Sequence, residues 1–184
     1  MQKIVFNDLE AQYAHLKKEI DAGIASVIEG CHFISGPQVE ELEKALCAYT
    51  GRKYCVTVSS GTDALLMPLM AWGIHEGDAV FVPGFTFFAT AEVVSLTGAT
   101  PVFCDIDPHT FNMDPNSLSE QIERVLREGK LTPKAVIPVD LFGQPAEFPK
   151  IEEICREHHL LVMEDAAQGF GGAIDGKRAC CFGD

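Results

Sequence analysis

Short apolar runs of strand length recur along this chain, each followed by a stretch with helical spacing, and that rhythm limits the folds open to it. The runs are Tyr54–Val58, Ala79–Pro83, Pro101–Cys104, Ala135–Val139 and Leu160–Met163. Between them, Thr62 to about Trp72, Ala89–Thr97, Pro115–Arg127 and Ala146–His159 read as helices. The Leu160 run is apolar at every position, the pattern of a strand buried on both faces. Strands and helices alternating at this spacing predict βαβ units and a mostly parallel sheet, an α/β fold. Ahead of them, residues 8–29 set Leu9, Tyr13, Leu16, Ile20, Ile24, Val27 and Ile28 at three-and-four spacing, which predicts a long amphipathic helix. Cys31–Pro37 breaks that pattern, and a second helix is expected from about Gln38 to Tyr49, with Val39, Leu42 and Leu46 turned inward. The chain thus divides into an N-terminal helical segment, 1–50, and a βα-repeat part, 51–184. It stops at Cys181-Phe-Gly-Asp184 without a closing helix, so either a fragment or a chain completed by a partner is expected.

Acids outnumber bases 27 to 14, a net charge of −13, which argues against nucleic acid and anionic membranes as partners. No apolar stretch approaches membrane-spanning length, and no basic-then-apolar leader opens the sequence. The seven cysteines (31, 47, 55, 104, 155, 180 and 181) lack any Cys-x-x-Cys spacing, and several lie inside apolar runs. A thiol there behaves as a small hydrophobe, so a reducing cytoplasm is expected and no zinc site or disulfide framework is indicated. No cluster of His, Asp and Glu has metal-ligand spacing. His158-His159 ends a helix, where histidine suits the dipole.

Three places carry chemistry. The Leu160 run ends in Glu164 and Asp165, then Ala166-Ala-Gln168 and glycines. An acid at the carboxyl end of a buried parallel strand sits where open α/β sheets bind ligands, and it is costly to desolvate without a cation or donors. Its plain alternative is a helix N-cap, which leaves Glu164 and the glycines unexplained. Ser59-Ser-Gly-Thr-Asp-Ala64 feeds a helix start, where free N–H groups and the dipole suit a phosphate. Read alone, that serine is more simply an N-cap. Pro83-Gly-Phe-Thr-Phe-Phe-Ala-Thr90 puts phenylalanines after a strand, either as core or with one face offered to a flat ring. A phosphate turn, an aromatic and an acid facing one crevice together describe pyridoxal phosphate, whose protonated ring is an electron sink for carbanions.

Ser59-Ser-Gly-Thr-Asp-Ala-Leu65, Pro83–Glu92, Pro101-Val-Phe-Cys-Asp-Ile-Asp107, Ile137-Pro-Val-Asp-Leu-Phe-Gly-Gln144 and Glu164-Asp-Ala-Ala-Gln168 resemble the DegT/DnrJ/EryC1/StrS family of sugar aminotransferases, as do Ile34–Pro37 and Leu42-Glu43. The resemblance spans the whole chain and leans toward members that aminate UDP-linked 3-keto sugars, notably 3-oxo-glucuronates used for bacterial surface polysaccharides. It implies that Ser60, Gly61 and Thr62 bind the cofactor phosphate, that Phe87 stacks on the ring, that Asp165 pairs with the ring nitrogen and that Gln168 contacts the ring hydroxyl. It implies the aspartate-aminotransferase fold (fold type I), of which this chain would hold the large domain, truncated before the small domain. A homodimer with active sites at its interface is implied too, with glutamate as amino donor and a nucleotide sugar as acceptor. The Schiff-base lysine is expected beyond Asp184, leaving no catalytic residue in this chain and no turnover from it alone. Lys177, in the turn Asp175-Gly-Lys-Arg178, is not expected to replace it. Two other readings remain: a sugar dehydratase of the same family, decided by a residue outside this sequence, and a non-catalytic binding or regulatory half-domain. A nucleotide-binding protein of another type lacks the glycine motifs it would need.

Overall fold

The computed structural model describes residues 4–184, so Met1–Lys3 of the N-terminal segment lie outside the described residues. Helix α1, Leu9–Gly30, is capped by Asp8, whose carboxylate accepts the Ala11 N–H at 2.9 Å. Helix α2, Pro37–Thr50, opens on a proline, where a missing N–H costs nothing, and closes at Gly51 with φ 80°. Both helices were expected; their inward faces are corrected. Neither helix contains a buried residue, and Leu9, Ile24, Ile28 and Leu42 stay exposed. Periodicity announces an apolar face without specifying what covers it.

The sheet is built from β1 (Asp78–Pro83), β2 (Thr100–Cys104), β3 (Thr132–Val136) and β4 (Leu161–Val162). These strands are parallel throughout, in the order β2-β1-β3-β4. In register, Phe81 of β1 sits between Val102 of β2 and Val136 of β3. The connecting helices are α3 (Gly61–Ala71), which precedes β1, then α4 (Ala89–Leu96), α5 (Pro115–Glu128) and α6 (Phe148–Glu157). Every residue of β1 is buried, because successive side chains leave opposite faces of a strand and both faces are covered. Ala79 and Phe81 meet Leu118 and Ile122 of α5 with Ile151 and Cys155 of α6. Val80 and Val82 meet Leu65 and Leu69 of α3 with Val93 and Val94 of α4. The result is a three-layer α/β unit around a parallel sheet, as the rhythm of the sequence predicts.

Tyr54–Val58, expected as the first strand, is not one. A strand exists only as a pair, and no described strand lies beside this segment. Tyr54 and Val56 are 74% and 73% exposed, and the Thr57 N–H donates to the Glu43 carboxylate at 2.8 Å. The turn expected at Asp175–Arg178 is the tip of a small antiparallel hairpin, β5 (Ala173–Ile174) with β6 (Lys177–Arg178).

From β1 the chain crosses to β2 on one side, and it returns to place β3 on the other. That reversal opens a crevice beyond the carboxyl ends of β1 and β3, the usual ligand position in such sheets. Among the described residues no helix is long and apolar enough to cross a membrane, and no group of His, Cys, Asp and Glu has metal-site geometry.

Candidate functional site

Asp165 follows β4 and stays tied to the chain leaving β3. Its N–H donates to the Pro138 carbonyl at 2.9 Å, and its own carbonyl accepts the Asp140 N–H at 3.0 Å. The side chain is 7% exposed. One carboxylate oxygen, Oδ2, accepts the Thr90 hydroxyl at 2.9 Å, and the other, Oδ1, accepts the Ala167 N–H at 3.3 Å. Thr90 is buried in the first turn of α4, with its hydroxyl 3.1 Å from that of Thr86. The helix-cap alternative for Asp165 is not what forms: residues 167–171 make turns, with the Gly169 N–H donating to the Ala166 carbonyl at 2.9 Å. A carboxylate this buried, with two neutral donors, is set to receive a cation from the open side.

The neighbouring acid has a different task. Glu164 accepts the Cys180 N–H on Oε1 at 2.7 Å and the Phe182 N–H on Oε2 at 2.8 Å. It fastens the segment after the hairpin to the end of β4, which accounts for two adjacent acids in one run. A third carboxylate, Asp140, follows β3 and is fully buried. Its Oδ1 accepts the Ala146 N–H at 3.1 Å, and its Oδ2 has no donor. Burial, followed by the Glu164 side chain and the Asp165 charge, pushes its pKa up to about 8, with the Ala146 N–H pulling the other way. Gly169 packs directly on it: a Cβ there would lie 2.6 Å from the Asp140 Cβ.

Across the crevice, Ser60 caps α3, its Oγ accepting the Asp63 N–H at 3.1 Å from extended backbone. The simple capping reading of this serine is therefore realised. The Ser59 and Ser60 hydroxyls donate to the Asp63 carboxylate and hold it below the usual carboxylate range. The N–H groups of Gly61 and Thr62 belong to the first turn, which helix geometry leaves without internal partners.

A cavity of about 490 Å³ joins these parts, with Gly61, Ala64 and Leu65 of α3 on one wall and Met163, Asp165 and Ala167 on another. Gly61 and Asp165 therefore share one space, flanked by Ser60 and Thr62. Phe87 is 72% exposed just before α4, and its carbonyl accepts the Thr90 N–H at 3.2 Å. Phe85 instead joins Phe111 and Phe142, with ring centroids 5.9 and 6.4 Å away. Gln168 points to the same cluster, its side-chain oxygen accepting the Phe142 N–H at 2.7 Å. Lys177 lies elsewhere, 3.9 Å from Glu152 and 4.4 Å over the Phe182 ring. The cation lining the cavity is Arg52, which donates to the Phe182 and Gly183 carbonyls at 2.6 and 3.0 Å.

The reading of the sequence passed over Thr90, Asp140 and Arg52. Asp140 carries the signal that singled out Asp165, an acid ending an apolar run, and Thr90 stands one helical turn after Thr86. Nothing local marks Arg52, whose partners lie 130 residues away.

A model of the DegT/DnrJ/EryC1/StrS aminotransferase family matches residues 14–184. The UDP-2-acetamido-2-deoxy-3-oxo-D-glucuronate aminotransferase of Pseudomonas aeruginosa is 48% identical over 179 residues, covering 96% of this chain and 47% of that protein. The chain thus spans about half the length of that relative. The crystal structure of a DegT DnrJ EryC1 StrS aminotransferase from Brucella abortus superposes with a TM-score of 0.97 at 47% identity, over 98% of this chain and 48% of that one. NtdA from Bacillus subtilis with bound cofactor PMP superposes with a TM-score of 0.76 at 35% identity, over 88% of this chain and 36% of that one.

Proposed function

Because this chain belongs to the DegT/DnrJ/EryC1/StrS aminotransferase family, we propose that the complete protein moves an amino group from glutamate to a UDP-linked 3-keto sugar, using pyridoxal phosphate. The observation that carries this reading is the cavity that sets the N-terminus of α3 opposite the buried Asp165. One end supplies N–H groups and a positive dipole, and the other supplies an anion held by two donors. Those residues fit a group with a phosphate at one end and a basic ring nitrogen at the other. When bound, that group supplies the electron sink that makes transamination possible.

In this reading Ser60, Gly61 and Thr62 hold the phosphate by hydroxyl and backbone donors. Asp165 keeps a proton on the ring nitrogen, and the Thr90 hydroxyl fixes which way its carboxylate faces. Phe87, exposed just before α4, is proposed to cover one ring face, and Gln168, whose side chain accepts the Phe142 N–H, to reach the ring hydroxyl. The lysine that exchanges protons with the substrate is proposed to lie outside residues 1–184, since Lys177 is engaged with Glu152 and the Phe182 ring and does not line this cavity. The whole protein is proposed to act in the cytoplasm as a homodimer in surface-polysaccharide synthesis.

The test uses the full reading frame, purified with pyridoxal phosphate and supplied with glutamate and a UDP-linked 3-oxo-glucuronate. An amino-sugar product identified by mass, lost in Asp165→Asn, is the expected result. A deoxygenated sugar in place of the amine would move the reading to dehydration. No reaction with any keto sugar, together with no pyridoxamine 5′-phosphate binding to residues 1–184, would overturn it.

A further inference from the structure

The partnerless oxygen of Asp140 needs an explanation. Both the Asp140 and Glu164 carboxylates are acceptors when ionised, yet they stand within hydrogen-bond reach of each other. Each Glu164 oxygen already takes a backbone N–H, from Cys180 and from Phe182. Asp140 takes one, on Oδ1, and its Oδ2 is buried with none. Two facing acceptors are reconciled when one keeps its proton, and the oxygen without a donor is the one that can carry it. Gly169 closes the remaining approach, its backbone packed against the Asp140 side chain, so a solvent donor has no room.

We propose that Asp140 is a positioning residue of the ring-nitrogen site: kept as a neutral acid, it donates its Oδ2 proton to Glu164 and so locks the backbone pairing that aims Asp165 into the cavity. The lock is short and direct. The Asp140 N–H holds the Asp165 carbonyl at 3.0 Å, and the Glu164 side chain shares a residue boundary with Asp165. The titratable groups facing Asp140 are Glu164 and Asp165 after β4 and Cys180 after β6. The two carboxylates oppose a second charge there, and the thiol stays neutral. The Cys180 thiol is itself pushed up to about 11 by burial, then by Glu164 and Asp140. Keeping Asp140 neutral also spares Asp165 a like-charged neighbour, leaving its charge for the cation it would meet. The positioning part of this proposal rests on the cofactor reading above.

Asp140 is a weaker acid in the folded chain than in the unfolded one, and stability depends on pH accordingly. An aspartate in the unfolded chain loses its proton near pH ~4, whereas folded Asp140 keeps its own up to about 8. Between those values the folded state binds the extra proton, so Asp140's contribution to stability falls as pH rises. Asparagine cannot lose a proton, so Asp140→Asn should gain stability relative to the wild type across that window.

The experiment compares wild type, Asp140→Asn and Glu164→Gln by infrared difference spectroscopy and thermal unfolding across pH. The wild type should show a protonated-carboxyl C=O band that bleaches near pH 8, that is absent in Asp140→Asn and that bleaches at lower pH in Glu164→Gln. Pyridoxamine 5′-phosphate, titrated by fluorescence, should bind the wild type more weakly above pH 8 than at pH 6, whereas the affinity of Asp140→Asn should not fall across that range. Absence of the band, or parallel stability profiles for wild type and Asp140→Asn, overturns the proposal. If the band behaves as stated but neither protein binds pyridoxamine 5′-phosphate, the cofactor reading fails while the shared proton stands.

Discussion

Thr90 contributes one hydroxyl, and the orientation of Asp165 depends on it. Thr90→Val keeps the shape and removes the donor from a buried carboxylate, a loss of about 1.5–3 kcal/mol for a hydrogen bond to a charged group. Urea unfolding should register that loss, and Thr90→Ser should recover most of it. Equal stability of Thr90→Val and wild type would mean that the hydroxyl has no hold on Asp165. Gly169→Ala tests the opposite wall of the same cluster. Its new Cβ would enter the space of the Asp140 side chain, an overpacking that costs about 1–3 kcal/mol by the same measurement. At this scale the sequence is legible where one residue is out of place for its surroundings, as Asp165 is at the end of an apolar run. Thr90 and Arg52 are not legible, because their meaning lies in partners 75 and 130 positions away.

Helices α5 and α6 were legible because their stripes face a covered sheet. Leu118, Ile122 and Val125 are all buried, and Ile122→Ala should cost about 2–5 kcal/mol in unfolding free energy by opening a cavity between α5 and the sheet. The segment after β6 is held differently. Apolar residues Ala179 and Phe182 are buried there, but the backbone is fixed by Glu164, whose oxygens take the Cys180 and Phe182 N–H groups. Glu164→Gln removes the charge and one acceptor, so the Cys180 and Phe182 amides should exchange with deuterium faster while those of β1 do not change. Uniform acceleration through β1 would instead report global destabilisation. Tyr54–Val58 shows where the apolar pattern misleads at this scale. Its composition suits a strand, but composition cannot provide the neighbour that a strand requires, and Glu43 takes the Thr57 N–H instead.

At the scale of the whole molecule, the βα unit and the N-terminal helices differ in what holds them. The Val80–Val82 stretch of β1 is enclosed by two helical layers of the same chain, so its stability is intramolecular. Helix α1 runs 22 residues with no buried side chain, and a helix without a packed face is marginal in water. It shows Tyr13, Ile20, Ile24 and Ile28 to solvent, and α2 adds Leu42. If the proposed homodimer covers this stripe, amide protection in α1 should rise with protein concentration while that of β1 stays constant. A net charge of −13 on each chain opposes that association, so added salt should strengthen it by screening. Ile24→Glu should abolish the concentration dependence without lowering the protection of β1, because Ile24 touches neither core. Fast exchange in α1 at every concentration and salt level would remove this stripe from the dimer interface. Protection independent of concentration would place its support within the chain itself.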